Sequence, residues 1–151
     1  MPEPVRHDAL THGERLLIRA VRLFALQGGC EGLKGHFEDA CGAAGTEAYR
    51  TLEVFVQQLR AYGRRRVQLA PPAAPTLSAD EAVILDVFGF AQGDDFRAMH
   101  DRLALLVGER PPTSLGAAAA WVGRAFELGG LTLRASLDVE EEAAWLPIAA
   151  E

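Results

Sequence analysis

The sequence predicts an all-α fold: a single domain, residues 1–151, built as a bundle of about six helices in two groups of three on either side of a Pro-rich crossover. Three observations predict it. First, Pro71-Pro72-Ala73-Ala74-Pro75 cannot continue a helix, because each proline lacks an N–H and pushes its predecessor out of the α region. Second, Leu77-Ser78-Ala79-Asp80-Glu81 follows as a restart signal. Ser78 can accept from the N–H of Glu81, Glu81 can reach back to the N–H of Ser78, and Leu77 can pack on Ala82 as a hydrophobic staple. Third, apolar residues elsewhere recur at helical spacing, with little strand-type alternation and no repeat of fixed period. The expected organisation is a flexible start (1–10), N-terminal helices (11–63), the crossover (64–77), C-terminal helices (78–130) and an acidic tail (131–151).

The first helix is expected from His12 to Gln27. Thr11 and Glu14 form a second capping box, and Leu16, Leu17, Ala20, Leu23, Phe24 and Gln27 mark the inner face. Arg15, Arg19 and Arg22 fall on the charged side, and Gly28-Gly29 ends the helix. A short helix from Glu31 to Cys41 turns Leu33, Phe37 and Ala40 inward. Thr46 is read as the cap of a third, Glu47 to Tyr62, with Leu52, Phe55, Val56 and Leu59 as its stripe and Gly63 as its stop. Arg64–Leu69 reads as extended, with Leu131–Leu133 its only visible strand partner. Beyond the prolines, Ala79–Gln92 is apolar almost all round, as a central helix would be. Asp94 is expected to cap Asp95–Val107, and Thr113 or Ser114 to cap Leu115–Leu128. The latter carries small residues from Gly116 to Ala120, which let another helix approach closely.

Composition narrows the function classes. A chain of 151 residues buries roughly 68–70% of its unfolded surface, and 49% hydrophobic content is that of a globular protein. No apolar run reaches the roughly 18 residues of a membrane span. The start lacks an apolar core behind a basic head, so no signal peptide is expected. Two cysteines, Cys30 and Cys41, are too few for a disulfide scaffold and fit a reducing cytoplasm. Charge is split: residues 1–70 carry ten Lys/Arg against eight Asp/Glu, and residues 71–151 carry five against thirteen. The basic excess gathers at Arg60, Arg64, Arg65 and Arg66, the acidic excess at Asp94-Asp95 and Glu140-Glu141-Glu142. Such a split suits a protein partner of mixed charge or self-association; it also suits a solvated face.

Catalytic groupings do not emerge from the spacing. Cys30, His36 and Cys41 are separated by six and five residues, wider than the pairs of a zinc site, and no second pair follows. No Glu-x-x-His pair suggests a di-iron bundle. Ser78 and Ser114 are better employed at helix starts, His100 and Asp101 point around a helix instead of at each other, and no phosphate-cradling glycine loop occurs. No metal, no cofactor and no catalytic residue is assigned.

The stretch Glu14-Arg-Leu-Leu-Ile-Arg-Ala-Val-Arg-Leu-Phe-Ala-Leu-Gln-Gly28 resembles the first helix of TetR-type repressors, and Ala40-Cys-Gly-Ala-Ala-Gly-Thr-Glu-Ala-Tyr-Arg-Thr-Leu52 resembles their helix-turn-helix. The resemblance covers about forty residues and implies DNA binding. Thr46 stands where an apolar β-branched residue anchors such a turn, Thr51 falls on a buried position, and Glu47 and Glu53 oppose one arginine, Arg50, toward a polyanion. The whole arrangement, with Arg favoured over Lys, also resembles small uncharacterised helical proteins of high-GC proteobacteria, which implies a fold class and no activity.

The sequence therefore points to a non-catalytic, cytoplasmic interaction or regulatory protein that binds a protein partner or itself, with no membrane association. Candidate partner-binding residues are Arg60, Arg64, Arg65, Arg66, Trp121, Trp145 and Leu146, together with the small-residue surface 116–120. Trp145 and Leu146 sit beside the acidic run, either folded back on the body or offered as an aromatic anchor. The alternatives are a DNA-binding helix-turn-helix regulator, with nucleic acid the less favoured partner, and a small-molecule-binding bundle. The last requires polar groups to converge in a pocket around His36, His100 or the Asp94 turn.

Overall fold

The computed structural model describes residues 5–62, 66–108 and 110–134. These form six α-helices: α1 (His12–Gln27), α2 (Glu31–Cys41), α3 (Gly45–Tyr62), α4 (Ala79–Gln92), α5 (Phe96–Val107) and α6 (Thr113–Leu128). Both capping boxes form. Thr11 Oγ1 accepts from Glu14 N at 3.1 Å and Ser78 Oγ from Glu81 N at 3.0 Å, while each glutamate accepts the backbone N–H of its cap residue.

Sequence order and spatial order differ. The helices before the prolines do not form a body apart from those after them, because α6 packs on α3 as well as on α4. Aromatic contacts bridge the two groups: Phe55 meets Phe88 with ring centroids 4.8 Å apart, and Phe37 meets Phe126 at 5.7 Å. Edge-on pairs of this kind contribute about 0.5–1.5 kcal/mol beyond the area they bury. α4, the most apolar helix, sits at the centre against both α5 and α6, as its all-round pattern predicts. Two glycines set close approaches. A Cβ on Gly45 would collide with the Phe37 carbonyl, and one on Gly129 with the Ala40 carbonyl, so α3 and the end of α6 both lie directly against α2.

Several local expectations are corrected. Residues 5–10 are not loose: Leu77 N donates to Val5 O at 2.9 Å, His7 N donates to Pro75 O at 2.7 Å, and Leu10 is buried. Among the described residues, 66–69 and 131–133 do not pair with each other. The described part of each, 66–70 and 131–134, instead lies across a helix N-terminus, where unsatisfied N–H groups and a capping glutamate offer better partners than a second strand. Residues 131–134, expected to open the acidic tail, are thus tied to the start of α1, and the rest of that tail lies outside the described residues. Thr46 does not cap α3, which starts at Gly45 straight from the 3-10 turn Gly42–Ala44; its hydroxyl donates to Glu38 at 2.7 Å. Asp95, not Asp94, caps α5 by accepting from Ala98 N, and Asp94 takes the left-handed conformation that turns the chain. α6 starts at Thr113 behind Pro112 with no side-chain cap, and Ser114 Oγ donates instead to Gln58 Oε1 at 3.1 Å.

Candidate functional site

The most buried polar cluster lies where the crossover meets α1 and α4. Arg22, three turns into α1, is fully buried, contrary to its expected place on the charged side. Its Nε donates to Glu81 at 2.8 Å and its Nη2 at 3.0 Å, a two-pronged ion pair with no exposure of either side chain. The remaining guanidinium N–H groups reach the carbonyls of Pro72, Ala74 and Thr76 at 3.4, 3.1 and 3.0 Å. Glu81 also accepts from Ala70 N and Ser78 N at 3.0 and 2.9 Å. A proline-rich segment carries acceptors with few donors, and one planar guanidinium supplies what it lacks. Every strong bonding position is occupied, so the cluster holds the crossover in place and offers nothing to a substrate.

A similar arrangement sits at the start of α1. Glu14 accepts from Arg134 Nη2 at 2.7 Å and from Arg134 N at 2.7 Å, and Thr11 Oγ1 donates to Thr132 O. Burial pushes the Glu14 carboxyl up, but the bonds from the Arg134 side chain and from the Thr11 and Arg134 backbone outweigh it and hold it below the usual range. Two further carboxylates are buried: Asp80 accepts from Gln68 N at 2.7 Å, and Asp86 pairs with Arg102 at 3.3 Å, whose guanidinium lies over the Phe90 ring.

Beside the Arg22 cluster a groove of about 1050 Å³ opens between α1, α3 and the crossover. Ala25, Val56, Leu59, Val67 and Leu69 form its apolar lining, and Leu26 stands in it at 67% exposure. Arg60 and Arg66 also line it. Arg60 donates to the Ala25 carbonyl, closing the C-terminal end of α1. The structure thus brings two of the candidate arginines to one groove, while Arg64, Arg65, Trp145 and Leu146 lie outside the described residues. Trp121 is elsewhere, on the outer face of α6 at 38% exposure. Within 116–120, Gly116, Ala118 and Ala119 are buried, Ala117 is exposed and Ala120 half-buried, and a Cβ on Gly116 would meet Met99 and His100 of α5 at 3.1 Å. At Gly116 the close neighbour is α5.

A second recess, missed by sequence reading, collects three of the four histidines. His7, His12 and His36 line a cavity of about 460 Å³ with Arg15, Arg19 and Asp39. Only His36 was a candidate beforehand; the signal for the rest is the His12, Arg15, Arg19 spacing, which puts all three on one helix face. Burial, then the Arg22 and Arg15 charges, hold His7 below the usual histidine range. His100 is exposed on α5, apart from this recess.

The cysteines are far from a shared chemistry. Cys30 is exposed and caps α2, its sulfur accepting from Leu33 N at 3.4 Å. Cys41 is buried at the other end, where desolvation pushes its thiol up. Among the described residues, no group of three or more His, Cys, Asp or Glu is placed to hold a metal ion, and no helix is long and apolar enough to cross a membrane. On α3, Glu47, Arg50, Val54, Gln57 and Arg60 are exposed, a face of mixed charge. Comparison with protein families, with curated proteins and with solved structures finds no match for this chain.

Proposed function

We propose that this chain is a non-catalytic helical interaction protein of the cytoplasm, which holds a protein partner or a second copy of itself in the groove between α1, α3 and the crossover. The observation that carries the reading is the open apolar lining of that groove, with Leu26 67% exposed above Val56 and Leu59 and with arginines among the lining residues. An apolar surface rimmed by polar residues marks an interaction site. The free thiols, one capping a helix and one packed in the core, suit a reducing compartment. The buried carboxylates and Arg22 are engaged in holding helix starts and the crossover, which supports binding over bond-making chemistry.

The test is the native protein at physiological salt, examined by light scattering after gel filtration, beside Leu26→Glu. Leu26 is exposed, so the substitution leaves melting unchanged. The expected result is a dimer or a stoichiometric companion that Leu26→Glu releases. A wild-type monomer with no companion, or an assembly indifferent to the substitution, overturns the reading.

A further inference from the structure

We propose that the recess between α1, α2 and the turn at His7 is a binding site for a phosphomonoester. It shares no lining residue with the groove, so it stands or falls separately from the protein-binding role.

Three elements build it. α1 contributes His12, Arg15 and Arg19, spaced by three and four residues and therefore stacked along one face. α2 contributes His36 and Asp39, and the short 3-10 turn His7–Ala9 contributes His7. Leu16 and Ala40 supply an apolar wall. The volume, about 460 Å³, lies in the size range of small-ligand sites, roughly 300–1,000 Å³.

Charge decides the ligand. The chain carries −6 overall, yet this recess sets two guanidiniums against one carboxylate. Arg15 Nη1 donates to Leu10 O at 2.8 Å, which fixes the side chain while leaving most of its fork unused. Among the described residues, Arg19, His12 and His36 make no side-chain hydrogen bond or ion pair, and neither arginine pairs with an acid. Like charges one turn apart repel, so an anion seated between Arg15 and Arg19 relieves the helix as well as satisfying the donors. A guanidinium pair matches the tetrahedral oxygens of a dianion better than it matches a single carboxylate. Imidazoles of His12 and His36 add donors, and Asp39 can accept from a hydroxyl on the ligand's organic part, which the Leu16 and Ala40 wall accommodates.

The experiment is a titration of the full chain, followed by amide chemical shifts, with inorganic phosphate, glycerol 3-phosphate and malonate. Phosphatidylcholine vesicles with and without phosphatidic acid form a separate arm. The expected result is saturable shifts at α1 and α2 with glycerol 3-phosphate, weaker with inorganic phosphate and absent with malonate. Arg19→Gln, an exposed position that leaves melting unchanged, weakens binding by about tenfold or more, as loss of a charge-assisted bond does. His36→Gln weakens it less, and Arg97→Gln on α5 leaves it unchanged. Binding to phosphatidic-acid vesicles together with the soluble ester assigns the source to lipid headgroups; binding to the soluble ester alone assigns it to a metabolite. Equal response to malonate, an equal loss with Arg97→Gln, an adventitious ion only, or no saturable shift overturns the proposal.

Discussion

The two helix starts at Thr11 and Ser78 share one local design and differ in how deeply it is sealed. In each, a buried leucine precedes a hydroxyl cap, the cap hydroxyl donates to a carbonyl of an extended segment, and the capping glutamate takes an N–H of that segment. In each, an arginine from far along the chain then clasps the glutamate. At α4 that arginine is Arg22, wholly buried, and it also carries three crossover carbonyls. At α1 it is Arg134, on the covering segment itself and about one third exposed. The same hydrogen bonds thus sit in two dielectric settings, and the cost of breaking them should differ accordingly.

The largest effect is expected from Arg22→Met or Glu81→Gln. Removing one partner of a fully buried pair costs about 3–5 kcal/mol, and urea unfolding reads it as a drop in midpoint. Loss below about 1 kcal/mol would break the comparison. Glu14→Gln comes next, at about 1.5–3 kcal/mol, the range for hydrogen bonds to a charged group. Because the Glu14 carboxyl is held below its usual value, its stabilisation is complete above the ordinary glutamate range and is lost as pH falls through its folded-state value. Acid unfolding of Glu14→Gln should therefore be shallower than that of the parent protein. Ser78→Ala and Thr11→Ala sharpen the point: each should cost about 1 kcal/mol, and nearly the same, since the caps themselves are alike. Least of all, Asp8→Asn, which removes an exposed partner of Arg6, should stay within about 0.5 kcal/mol.

What was legible in the sequence was whatever local chemistry decides. Both capping boxes, the break at Pro71–Pro75 and the apolar face of α3 follow from residue types at fixed spacing, and the helix ends at Gln27, Cys41, Tyr62, Gln92, Val107 and Leu128 follow from the residues around them. Arg22 was not legible. It lies seven residues after Arg15, hence on the same face of α1, and periodicity rightly groups them. That face is open at its first half and covered at its second, because residues 72–76 pass over it. Coverage by a remote segment is a tertiary fact that no helical period encodes. The histidine recess escaped for the same reason: His36 lies far along the chain from His7 and His12, and joins them only in the folded molecule. At Gly116, the first of the small residues expected to permit a close approach, the structure supplies α5 as the neighbour.

One guanidinium joining α1, α4 and three carbonyls of connecting chain makes the link between the halves a rivet instead of a hinge. Freeing the crossover alone would strip a buried guanidinium of three acceptors and Glu81 of the Ala70 N–H, so that local opening is costly. The amide protons of Ala70 and Ser78, both bound to Glu81, should therefore exchange slowly with solvent, although they belong to no helix interior.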